Sequence, residues 1–196
     1  MHKASLKGWE RVWCRRPPVE QQAKSTNRIN GLDIAFLSVQ PSDRSEIDGM
    51  LVEDCSSVLP ELDIREALYD RHNLETAMLS FTDKEVRTAN ATSNTDAAPH
   101  YIYVAQDEYR TAVLQSPPVI LRSYLDAVMQ GFLRAFGENG LSRFVETTAK
   151  FHFPVLEDRE APIYPRSVKI SNDEKALFGC VVPEGGFASN DSASDV

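Results

Sequence analysis

The chain predicts a mixed α+β fold, and three observations carry that prediction. Apolar runs rich in β-forming residues recur at 32–39, 46–52, 73–79 and 100–105, each bounded by turn residues. One long stripe of apolar residues at three- and four-residue spacing follows Pro117-Pro118. No internal repeat and no second apolar core interrupts residues 1–183, so a single domain is expected over that range.

Taken in order, residues 32–39 read Leu-Asp-Ile-Ala-Phe-Leu-Ser-Val, a buried strand that stops at the turn signal Pro41-Ser42-Asp43. Residues 46–52 make a second strand, with Gly49 marking a bulge or a place too tight for a side chain. A hairpin through Pro41–Ser45 follows from the pair. Ser56, Ser57 and Pro60 open a capped short helix that runs to Leu68, and Asn73 to Leu79 form the next strand. Residues 83–98 are polar and poor in apolar pattern, hence a strand end and an irregular loop, and His100 to Ala105 are again strand-like. Ile120, Leu121, Tyr124, Val128, Phe132 and Phe136 lie on one face of a helix over 119–136. Gly137 to Gly140 break it, and Leu141, Phe144, Val145 and Thr148 suggest a second, shorter helix. Pro154, Pro162 and Pro165 fix an extended arm over 154–166, and residues 184–196 have the composition of a disordered tail.

Composition narrows the functional classes. A hydrophobic content of 42% and a charged content of 26% are those of a globular domain. The net charge of -8 opposes a nucleic-acid or anionic-membrane partner, whose affinity rests on phosphate neutralisation by Lys and Arg. The small basic cluster of Arg11, Arg15 and Arg16 beside Pro17-Pro18 reads as a strand end and turn. Three cysteines without a Cys-x-x-Cys pair and four scattered histidines suggest neither a disulfide framework nor a metal site, and fit a reducing cytoplasm. No run approaches the ~18 apolar residues of a membrane span. No cofactor is expected.

Two residues stand out chemically. Glu66 lies in the charged turn Leu62 to Arg71, just before a strand; a carboxylate held at such a junction, beside apolar neighbours, is a natural acid/base position. The same spacing equally describes a solvated ion-pair face made by Asp63, Arg65, Glu66 and Arg71. Tyr124 begins the helical stripe, where a phenol can bury its ring and present its hydroxyl to a cavity, or simply be a satisfied core residue.

The run Leu62-Asp63-x-Arg65-Glu66-x-x-Tyr69 resembles the segment that ends in the catalytic glutamate of the gamma-glutamylcyclotransferase-like family. Leu6-Lys7-Gly8-Trp9-Glu10-Arg11-Val12-Trp13 and Glu46 to Leu51 resemble upstream elements of bacterial members, and Ser123-Tyr124-Leu125-Asp126 through Gly131, then Gly137 to Leu141, resemble the late tyrosine-bearing helix and its turn. These elements occur in the family's order and cover most of residues 6–170. The resemblance implies a small, bent, mainly antiparallel sheet or barrel with packed helices. It also implies a small-molecule gamma-glutamyl substrate, Glu66 as the catalytic acid/base and Tyr124 as a substrate-pocket residue.

The implied reaction is intramolecular aminolysis, which releases 5-oxoproline and a free amine. One element of the family pattern is missing. The opening Tyr-Gly-Ser strand and loop, which supply backbone donors to the glutamyl group, do not occur here. The chain is therefore expected to be N-terminally truncated relative to the family and slow in 5-oxoproline release, or else a catalytically inactive relative acting as a binding or interaction module. The leaving group and the oligomeric state are not encoded in any motif.

Overall fold

The computed structural model describes residues 1–15, 28–29, 32–81, 98–110 and 116–182. The expected loop over 83–98 falls almost wholly outside these residues, as do Arg16, Pro17-Pro18 and the 184–196 tail. Mixed α+β character holds: four helices pack with strands gathered into small sheets, none of which closes into a barrel among the described residues.

The frame is a pair of long antiparallel strands, β1 (His2–Arg15) and β4 (Ala35–Leu51), in register from His2↔Leu51 to Arg15↔Ala35. The hairpin expected through Pro41–Ser45 is therefore overturned. β4 continues through that segment because its partner is β1, and Pro41 falls opposite Trp9 at a register shift between Lys7 and Trp9. The turn residues are spent as a bulge, with Ser42 Oγ donating to Ser45 Oγ at 3.2 Å. Gly8 sits opposite at φ +80, a conformation that costs any residue with a Cβ about 1–2 kcal/mol. It also inverts the alternation of β1, so that Ala4 and Leu6 are buried before it and Trp9 and Arg11 after it.

Two-residue strands β2 (Arg28–Ile29) and β3 (Leu32–Asp33) pair with each other. A 3-10 turn at Ser56–Val58 leads into helix α1 (Leu59–Arg65). The expected serine cap is absent: neither Cys55 nor Val58, which hold the cap positions, caps with its side chain, and only Pro60 acts as expected at the start of the helix. The next strand is β5 (Tyr69–Leu74) rather than 73–79, because Thr76–Met78 form a 3-10 turn before β6 (Leu79–Phe81). β5 pairs antiparallel with β7 (His100–Ala105), and β6 adds to β1 through Ala4↔Phe81 and Leu6↔Leu79.

A single turn, α2 (Asp107–Arg110), precedes β8 (Ile120–Leu121), and the long helix is α3 (Arg122–Glu146). It starts three residues later than its apolar stripe suggests, since Ile120 and Leu121 pair in parallel with Val155 and Leu156 of β10. The expected break is present. Gly137, at φ 70 and ψ -167, kinks the helix into a long and a short part. Thr148 is not helical but begins β9 (Thr148–Ala149), which pairs in parallel with Arg11 and Val12. Helix α4 (Asn172–Val181) was not foreseen, although Ser171 and Glu174 form a complete capping box that is readable as Ser-x-x-Glu.

The core forms on both faces of the β1–β4 pair. On one side Trp13, Leu125, Met129, Leu141, Phe144 and Phe178 bury against α3 and α4. On the other, Val12 and Cys14 meet Ala105, Phe36 and Tyr69. Arg11 is buried among the helical aromatics, its guanidinium 4.6 Å from the Phe132 ring centre. It donates to Thr147 Oγ1 at 2.9 Å and to the Asp48 carbonyl. Burial pushes it down to about 10, against the pull of Asp48, so it stays charged at neutral pH.

A second polar group fastens the arm. Arg122 Nε donates to Glu157 at 2.9 Å, Ser123 N and Oγ donate to Asp158 at 2.7 and 2.5 Å, and Arg159 forms a two-pronged pair with Asp126 at 2.7 and 2.8 Å. Leu121, at the helix cap position, offers no side-chain cap bond. Asp158 therefore caps α3 from 35 residues away.

Candidate functional site

Glu66 closes α1. Its N–H donates to the Leu62 carbonyl at 2.8 Å, and its own carbonyl accepts from Tyr69 N at 2.7 Å, which folds the chain sharply from helix into β5. The Glu66 carboxylate is about a quarter exposed and accepts from Arg65 Nε at 2.8 Å. Beside it Asp63 accepts from the Tyr103 hydroxyl at 2.8 Å and pairs with Arg71 at 3.3 Å, while the Arg71 guanidinium lies 4.7 Å from the Tyr101 ring centre. Lost solvation, then the hydrogen bond to Asp63, raise the Tyr103 phenol, and the charge of Glu66 adds to the same effect. The charged turn is thus a polar face of ion pairs that contains Glu66.

Tyr124 lies in the helical core. Its ring packs edge-on against Trp13 at 5.9 Å and tilted, at 51°, against Tyr164 at 4.8 Å, and its hydroxyl accepts from Leu37 N at 3.3 Å. It does not turn toward Phe132 and Phe136. Trp13, fully buried next to it, has an indole N–H with no hydrogen-bond acceptor among the described residues.

A connection between the two segments appears at Leu37, directly opposite Trp13 in the β1–β4 pair. The Leu37 N–H and C=O point away from β1, toward the edge of β4 that no strand of the described residues covers at this position. Tyr124 takes the N–H, and the Tyr69 hydroxyl donates to the C=O at 3.3 Å. Next along, Ser38 Oγ accepts from Ala105 N at 2.8 Å. Side-chain hydroxyls thereby close a strand edge that would otherwise leave peptide groups open. Tyr69 belongs to the same short motif as Glu66. Its importance was readable only from that motif's terminal position, because nothing local indicates a partner 32 residues upstream.

The described residues also enclose a cavity of about 160 Å³ elsewhere, between the ends of β1 and β4 and the β5–β7 pair. Ala4, Leu6, Ile47, Gly49, Leu74 and Ile102 line it; neither Glu66 nor Tyr124 does. Asp48 reaches it too, but its carboxylate is held by Arg143 at 2.6 Å. The cavity arises where two small residues, Ala4 and Gly49, face each other across the strands. A Cβ at Gly49 would meet nothing within 4 Å, contrary to the expected tightness there. Gly49→Ala should therefore raise stability by roughly 0.5–1 kcal/mol, read from a urea unfolding curve. A loss of stability would mean that the strand needs glycine for its backbone shape.

Among the described residues no group of three His, Cys, Asp or Glu side chains is placed to hold a metal, and no helix is long and apolar enough to cross a membrane. No family model, curated protein or solved structure matches the chain.

Proposed function

We propose that the chain is a gamma-glutamylcyclotransferase-like protein that cyclises a gamma-glutamyl amide to 5-oxoproline. The observation that carries this reading is the meeting of Tyr69 and Tyr124 on the backbone of one residue, Leu37, which joins the glutamate-bearing motif to the tyrosine-bearing helix over long sequence separations. In the reaction, the substrate's alpha-amino nitrogen attacks its own gamma-carbonyl carbon, the C–N bond to the leaving amine breaks, and a five-membered lactam forms. Glu66 takes the proton from the attacking nitrogen and returns it to the leaving one, so no net proton is consumed. Tyr124, which lies outside the cavity above, supports near-attack geometry from the core by holding the Leu37 backbone.

The test is incubation of the purified chain with gamma-glutamyl-alanine, with 5-oxoproline followed by mass spectrometry against heat-denatured protein. Release above that background, even slow, supports the reading; its absence at high enzyme concentration counts against it. A second reading, a non-catalytic binding module, is favoured by the cavity at Ala4 and Gly49, which is lined mainly by apolar side chains and whose one carboxylate, Asp48, is already paired.

A further inference from the structure

We infer that Tyr69 is a positioning residue of this site, holding the Glu66 turn against the β4 strand to which Tyr124 of the long helix is bonded; this inference rests on the gamma-glutamyl reading above. Tyr69 makes two connections in opposite directions. Its backbone N–H closes the turn on the Glu66 carbonyl at 2.7 Å, and its phenol donates to the Leu37 carbonyl at 3.3 Å. The ring between them is locked edge-on against Phe36, with centroids 5.6 Å apart and planes at 83°. Leu37 is in turn bonded to Tyr124. The Tyr69 side chain thus links the turn, through Leu37, to the long helix.

A second tie runs through the backbone, since Tyr69 lies opposite Ala105 in the β5–β7 pair and Ala105 N donates to Ser38 Oγ of β4 at 2.8 Å; that tie holds the strand, and the Tyr69 phenol adds a side-chain tie next to the turn itself. The remaining side-chain bonds around Glu66 run to Arg65, whose side chain is well exposed, while those of Asp63 run to Tyr103 and Arg71 on the β5–β7 pair. An exposed pair of that kind orients a carboxylate only loosely. At 3.3 Å the phenol bond is long, so it contributes more to geometry than to stability. Proton transfer is sensitive to that geometry, since a displacement of about 1 Å can cost on the order of 10²-fold in rate.

Tyr69→Phe removes the hydroxyl and leaves the ring on Phe36. The expected result is a fall in kcat of roughly 10–10²-fold for gamma-glutamyl-alanine, with KM and melting temperature close to wild type. Amide hydrogen exchange supplies a readout that does not depend on turnover: the residue 69 amide should exchange about tenfold faster, while Val12, in the centre of β1, keeps its protection. Phe36→Leu, which loosens the ring packing without touching the hydroxyl, serves as the structural control.

Four outcomes are possible. A selective fall in kcat with faster exchange at residue 69 supports the inference. Wild-type turnover with an unchanged Tyr69→Phe variant overturns it and leaves the gamma-glutamyl reading standing. A loss of kcat that tracks a lowered melting temperature, and that Phe36→Leu reproduces, overturns it as a merely structural effect. An inactive wild-type chain overturns the gamma-glutamyl reading itself, and this inference with it.

Discussion

Glu66→Gln is expected to lower 5-oxoproline release by on the order of 10²–10⁴-fold while leaving the fold intact. The amide keeps the size of the side chain but cannot carry a proton between the attacking and leaving nitrogens. The structural cost is small, because among the described residues the only side-chain bond of this carboxylate goes to Arg65, and pairs at such exposure contribute no more than about 1 kcal/mol. Initial rates together with a melting curve separate the two effects. A variant that turns over at near wild-type rate would remove Glu66 from the mechanism, whatever the motif suggests.

Removing one partner of the buried pair at the arm should have the largest effect on stability. Asp126 is only 4% exposed, and Arg159 meets both of its oxygens. Arg159→Ala leaves a carboxylate in the interior without its cation, which typically costs about 3–5 kcal/mol. At ~2–4 °C per kcal/mol for a chain of this size, the melting temperature should fall by roughly 10 °C. Replacing both partners with leucine should restore much of that loss, because no isolated charge then stays buried. Equal destabilisation by the single and double changes would show that the shape of the pair, rather than its charge, holds the arm.

The parts of the fold legible in the sequence were those whose cause is local. The long helix and its kink at Gly137 follow from spacing and from one residue's backbone freedom, although Tyr124, Val128 and Phe132 are only half-buried and the fully buried positions beside them are Leu125 and Met129. The arm expected over 154–166 is a strand only at Val155–Leu156 and bends at 159–161 and 164–166, while the Ser171-Glu174 box marks the start of the last helix. Strand partnership was not legible. Pro41 and Ser42 are strong turn residues, and only the presence of β1 alongside turns them into a bulge inside a continuous strand.

The candidate site divides in the same way. Glu66 and Tyr124 could be chosen from motif and pattern, and the ion-pair face around Glu66 was the plain alternative that charge spacing already contained. The link through Leu37 could not be seen, since it depends on which edge of a distant strand is left without a partner. Nor could the cavity. It results from Ala4 and Gly49 facing each other, a pairing decided by register across 45 residues.

The remote cap on α3 has a consequence for the order in which the protein is made. A ribosome delivers Arg122 and Ser123 well before Asp158, so the first turn of the longest helix emerges with its backbone donors unserved and must wait about 35 residues for the carboxylate that completes it. At ~5–20 residues per second that is an interval of a few seconds, during which the helix start is the frayed end of a nascent chain. Nascent chains stalled before Asp158 has cleared the exit tunnel should be cut by protease near Ser123, and those stalled well beyond it should be protected there.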